Sequence, residues 1–84
     1  MTLNPASQSD IFVAFDIVPV TPSDTIDLAT PARAIRAQTG GTIRITTFLG
    51  NVRNTTIGNN EVLMVYASRI HETGTTAANI EALV

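Results

Sequence analysis

From residue 32 onward the chain alternates apolar and polar positions with a period of two. ARAIRA, 32 to 37, sets Arg33, Ile35 and Ala37 on one face and Ala32, Ala34 and Arg36 on the other, which is the spacing of a β-strand. TIRITTFL, 42 to 49, puts Ile43 and Ile45 on one face against Thr42, Arg44, Thr46 and Phe48. The intervening Gly40-Gly41 pair predicts a tight hairpin that needs positive φ. Gly50-Asn51 predicts a second turn, with NVRNTTI, 51 to 57, returning as a strand, and Gly58, Asn59 and Asn60 predict a third. EVLMVYASRI, 61 to 70, is apolar on both faces, so it predicts a central strand with sheet on one side and a partner or the N-terminal segment on the other. NIEALV, 79 to 84, would close the order with Ile80, Ala82 and Val84 inward. Five to six short strands about ten residues apart predict a mainly β protein, a small antiparallel β-sandwich or barrel.

Residues 1 to 31 hold all four prolines, at 5, 19, 22 and 31, and these interrupt any long regular element. We therefore divide the chain, a single domain overall, into an extended N-terminal arm over 1 to 31 and a β domain over 32 to 84. Within the arm, Ile11, Phe12, Val13 and Phe15 are the apolar residues expected to anchor on the body or on a neighbouring subunit.

Composition supports strands, with thirteen threonines and abundant Ile and Val. The net charge is −2, with five arginines, no lysine and seven carboxylates. That balance argues against duplex nucleic acid, whose binding runs on clustered phosphate-neutralising cations. The apolar runs are too short to cross a bilayer and MTLNPASQSD lacks the features of a signal peptide, so the expectation is synthesis in the cytoplasm and no membrane partner. The sequon at Asn54, Thr55 and Thr56 is then idle. Cysteine is absent, so neither a disulfide nor a thiolate metal site can staple so small a core, and oligomerisation remains as a source of stability.

Chemistry is sparse. Asp24 and Asp27 flank no His or Lys in sequence and, with Ser23 and Pro22, suit a local turn. No serine lies in a Gly-x-Ser-x-Gly context, and TGGT lacks the lysine and helix of a phosphate loop. Phe12, Phe15, Phe48 and Tyr66 fit a core better than a stacking platform. His71 has Glu72 beside it but no third partner, and adjacent strand residues point to opposite faces, so it is expected to be a solvated turn residue in HETGTTAAN, bent at Gly74. The sequence thus predicts no catalytic residue, no metal site and no cofactor. A carbohydrate- or receptor-binding tail or fibre module is kept open by Asn51, Asn54, Asn59 and Asn60, and a small hydrolase around His71 has the least support.

The order Arg69, Ile70, His71, Glu72, Thr73, Gly74, Thr75, Thr76, Ala77, followed by Ile80, Ala82 and Leu83, resembles the ending of the spike base protein family of gene transfer agents and related tailed phages. Upstream, Asp27-Leu28, then Ala32-Arg33-Ala34-Ile35, then Gly40-Gly41-Thr42-Ile43 is similar to that family's acidic-Leu, Ala-Arg-Ala-apolar and Gly-rich order, so the resemblance runs over most of residues 24 to 84. It departs at 61 to 65, where the family's pattern would have Pro-x-Arg and this chain has no proline. The resemblance implies a virion structural protein on the outer capsid surface, a homo-oligomer (trimer or pentamer) that cements capsomers or forms a head-spike base. Its partners would be the major capsid protein and, for a spike base, a head fibre protein. The candidate interface residues are then Ile11, Phe12, Val13 and Phe15 in the arm, with Arg33, Arg36, Arg44, Arg53 and Arg69 placed to meet acidic groups on a capsid protein.

Overall fold

The computed structural model describes residues 13 to 84, and Ile11 and Phe12 lie outside the described residues. Seven strands run in chain order: β1 (Ile17–Pro19), β2 (Ala34–Thr39), β3 (Gly41–Thr47), β4 (Val52–Ile57), β5 (Val62–Leu63), β6 (Ala67–Ile70) and β7 (Ala78–Leu83). They form a four-stranded antiparallel sheet in the order β1-β7-β2-β5 and a three-stranded one in the order β4-β3-β6. The small mainly β fold expected from the alternation is therefore present.

The inward faces are those the period-two pattern assigns. Ile35 and Ala37 on β2, Ile43 and Ile45 on β3, and Ile80 and Ala82 on β7 are buried, with Val84 packed against them. Among the described residues the buried apolar set is six isoleucines and six alanines, and no polar residue is buried. Such a core has little apolar volume, and each fully buried Ile contributes only about 1.5–3 kcal/mol. From the proline-rich segment, β1 adds to the edge of β7, and Val20 and Leu28 pack on the core.

Two connections differ from the expectation. Gly40-Gly41 does not turn a hairpin: β2 and β3 lie in different sheets, and neither glycine has positive φ. The pair is required by close approach instead. A Cβ on Gly40 would sit 2.5 Å from the Ile57 carbonyl oxygen, and one on Gly41 2.6 Å from Thr76 Oγ1. The true hairpin joins β3 and β4 through 48 to 50, closed by Thr47 N–H to the Asn51 carbonyl at 2.8 Å, with Gly50 at φ 88°. The expected single strand over 61 to 70 is also divided. Residues 62 and 63 pair with β2, residues 67 to 70 pair with β3, and 64 to 66 carry the chain from one sheet to the other. This segment is apolar on both sides because one side meets the core and the other is left open.

Candidate docking surface

The open side of that crossing comes first. Val62, Met64 and Tyr66, spaced by two, are exposed, Met64 at 59% and Tyr66 at 49%, while Leu63 and Val65 pack on the core. The β3–β4 hairpin tip adds Phe48 and Leu49, Leu49 being 85% exposed. Phe48 and Tyr66 pack as tilted rings with centroids 5.0 Å apart, and the Phe48 N–H donates to the Tyr66 carbonyl at 2.8 Å. None of the three described aromatic rings, Phe15, Phe48 and Tyr66, belongs to the core, contrary to the sequence reading. A turn immediately after Phe48-Leu49 is the signal that could have placed them outside, since turn tips stand clear of a sandwich core.

The second apolar region is the arm. Phe15 is 79% exposed, and Val13, Ile17 and Val18 are exposed beside it. The Arg33 guanidinium lies over the Phe15 ring, 4.8 Å from its centroid, and donates to the Val13 carbonyl at 3.1 Å. An apolar cleft of about 270 Å³ opens behind β1, between Val18, Val20, Leu28 and Val84.

Four of the five arginines lie on strands, Arg36 in the four-stranded sheet and Arg44, Arg53 and Arg69 in the three-stranded one, and they do different work. Arg36 pairs across β2 and β7 with Glu81, its register partner, at 2.7 Å. Arg69 reaches out of β6 to Asp27 at 2.7 Å and donates to the carbonyls of Asp24 and Thr25 at 3.0 and 3.2 Å. It thereby fastens the proline-rich segment to the three-stranded sheet. Arg44 runs along the Gly74 turn and holds a buried Nε with no hydrogen-bond partner among the described residues. The Arg53 side chain, on exposed β4, has neither a hydrogen bond nor an ion pair among the described residues.

His71 is not the solvated residue that its sequence context predicts. Its side chain is only 13% exposed, with Nε2 2.8 Å from Thr46 Oγ1 and Nδ1 3.9 Å from Asp24 Oδ1. The order of hydroxyl, imidazole and carboxylate is that of a nucleophilic triad, but the geometry is not. The Asp24–His71 separation exceeds a hydrogen bond. Asp24 instead accepts from Thr73 Oγ1 at 2.6 Å and from the N–H groups of Thr73 and Glu72 at 2.9 and 3.1 Å. These donors, the Thr73 hydroxyl foremost, hold its carboxyl below the usual carboxylate range. The group is a clasp that ties the 71–77 turn to the proline-rich segment, a long-range partner for Asp24 where sequence suggests only a local turn. Among the asparagines, Asn59 is engaged internally, its Oδ1 accepting from the Gly40 N–H at 2.7 Å. No group of three or more potential metal ligands occurs among the described residues, and no described helix is long and apolar enough to cross a membrane.

A solved structure of the capsid of a native gene transfer agent (GTA) particle, computed with C5 symmetry, contains a chain that superposes on this one with a TM-score of 0.81. The two are 33% identical, and the match covers 100% of each chain. The chain belongs to the family of that capsid component. No protein-family model and no curated protein matches it. Full coverage of both chains means that the match extends through both sheets.

Proposed function

We propose that the chain is a non-enzymatic structural protein of a GTA or tailed-phage-like particle, held on the outer capsid surface as a cement protein or as the base of a head spike. The observation that carries this reading is the full-length, 33%-identical likeness to a capsid component. The geometry supports it. Among the described residues, Phe15, Phe48, Met64 and Tyr66, which a self-sufficient small domain would bury, stand outside a core of Ile and Ala, and Tyr, Phe and Met are residue types enriched where proteins meet. Burying one such side chain against a partner contributes about 1.5–3 kcal/mol, and symmetry repeats the gain at every copy. The major capsid protein is the partner for the patch around Met64 and Tyr66, and a symmetric oligomer of this chain multiplies the contact.

The test is a symmetry-resolved electron cryomicroscopy reconstruction of particles assembled with and without the chain. Additional density at three-fold positions between capsomers identifies a cement protein, and density confined to five-fold vertices identifies a spike base. Absence of density from the capsid surface overturns the proposal.

A further inference from the structure

Strand β4 stands apart from the rest of the fold. Residues 52 to 56 are all exposed, on both faces, and only Ile57 is buried. Its hydrogen-bonding direction is fixed by its neighbour. Opposite Asn54 and Thr56 lie Arg44 and Thr42 of β3. Those two spend their backbone groups on the other side: Thr42 N–H donates to Thr76 Oγ1 and Arg44 N–H to Thr75 Oγ1, while their carbonyls accept from Thr76 and His71 N–H. Antiparallel pairs of this kind direct their N–H and C=O groups away from each other. The backbone of Val52, Asn54 and Thr56 therefore projects from the sheet edge.

Among the described residues the remaining edges are capped, covered or short. On β1, the outward N–H of Ile17 is capped by Asp16 Oδ1 at 2.8 Å, and the next outward position is Pro19, which has none. The outer side of β6 is covered by the proline-rich segment, through Ser23 N–H to the Ile70 carbonyl, Leu28 N–H to the Ser68 carbonyl and the Ala32–Ala67 bridge. β5 is two residues long. Among the described residues one six-residue edge is left without a neighbouring strand while the others are blunted, and open edges invite a further strand.

Arg53 decides which strand. It lies on the face of Ile45, its register partner, and carries the charge that the other described basic residues of its sheet either pair or enclose. If a second β4 paired about a two-fold axis at Asn54, using all three outward positions, Arg53 would face Thr55 of the partner and lie diagonal to the partner copy's residue 53. Diagonal neighbours are about 7–8 Å apart, within reach of long side chains, so two guanidinium groups would share one uncovered face. We propose that β4 is a strand-addition edge for an extended segment of a partner protein that bears a carboxylate opposite or diagonal to Arg53, and that Arg53 selects this occupant over a second copy of the chain. The inference rests on β4 alone and is independent of capsid attachment.

The R53E variant of the chain itself supplies the probe, an extended strand that places a carboxylate diagonal to Arg53 and within reach of its guanidinium. Amide exchange at Val52, Asn54 and Thr56 is read by NMR for wild type, for R53E and for their equimolar mixture. Each alone should exchange freely at these amides, and the mixture should slow them by about tenfold or more. Placing N54P in both chains removes the central outward donor while leaving the β3 ladder intact, and it should abolish the effect. R53T, which removes the repulsion, should show concentration-dependent protection by itself. Concentration-dependent protection in wild type alone would make a second copy the occupant and overturn the role of Arg53. Free exchange in both the mixture and R53T would overturn the strand-addition edge.

Discussion

If Gly40 is present because nothing larger fits, then Gly40→Ala should be far more costly than the same change at a turn glycine. The added Cβ would meet three backbone atoms of the 57–59 segment, at 2.5 Å from the Ile57 oxygen, 2.8 Å from the Gly58 carbonyl carbon and 2.9 Å from the Asn59 nitrogen. None of these can rotate away as a side chain could. Overpacking of this kind costs about 1–3 kcal/mol, and displacing Gly40 strains its 2.7 Å bond to Asn59 Oδ1, adding about 1 kcal/mol. The lower entropy of the unfolded Ala chain returns about 0.4–1 kcal/mol. The net loss is about 1–3.5 kcal/mol with a midpoint above 2, a large share of the stability of a domain this size, roughly 4–12 kcal/mol at typical values per residue.

Two other glycines serve as internal controls. Gly50 has open space around its Cβ position but a φ of 88°, so Gly50→Ala costs conformational strain only, about 1 kcal/mol. Gly58 has negative φ and meets only the Glu61 side chain, at 3.3 Å or more, so Gly58→Ala should fall within about 0.5 kcal/mol of wild type. Urea denaturation at one fixed protomer concentration measures all three, because any self-association makes the midpoint concentration-dependent. A Gly40→Ala loss no greater than that of Gly50→Ala would refute close approach as the reason for the glycine pair.

Asp24 has a depressed folded-state pKa, so its clasp contributes fully above the unfolded carboxylate value, about 3.9, and the contribution disappears as pH falls through that value and then the lower folded one. D24A should therefore be less stable than wild type at pH 7, with the gap narrowing below pH 4 in parallel urea titrations; a gap independent of pH would show that the carboxylate charge is not involved. R69A removes one ion pair and two carbonyl contacts from a side chain only 26% exposed, and a loss of about 1–2 kcal/mol is expected, with faster amide exchange at Ser23 and Leu28, which donate to β6. The double change M64S/Y66S should cost only about 0.5–1.5 kcal/mol in urea titrations, mainly the Tyr66–Phe48 ring contact, since both side chains are about half exposed, while abolishing co-purification with particles; retained attachment would move the capsid contact to the Phe15 region.

Alternation made the inward faces legible because it reports one physical fact, that neighbouring strand residues face opposite ways. Ile35, Ile43, Ile45, Ile80 and Ala82 follow from it directly. It carries no information on which sheet a strand joins. Gly40-Gly41 has the composition of a hairpin turn, and only the backbone of Ile57 and Gly58 packed against it shows that the chain passes there between layers. Asp24 and Arg69 were equally illegible, because their partners lie about forty to fifty residues away in sequence and a local reading offers only a turn and a solvated strand cation.

The segment 61 to 70 shows where hydrophobic pattern ceases to distinguish folding from binding. An apolar position is written in the same residue types whether it is covered by the chain's own second sheet or by another protein. Leu63 and Val65 take the first option; Val62, Met64 and Tyr66 take none within the chain. A strand rich in apolar residues on both faces therefore has two solutions, burial at the centre of a domain or a crossing between sheets with one side turned outward. Here the core is already filled by isoleucine and alanine from β2, β3 and β7. The larger, more polarisable Met64, Phe48 and Tyr66 are surplus to it, and a chain that retains such residues on one open surface loses solubility unless a partner covers them. The same separation applies to the arginines: Arg36 and Arg69, paired inside the fold, hold it together, whereas the Arg53 side chain, on the edge left open among the described residues, pairs with none of them, which is the condition the proposed strand addition requires.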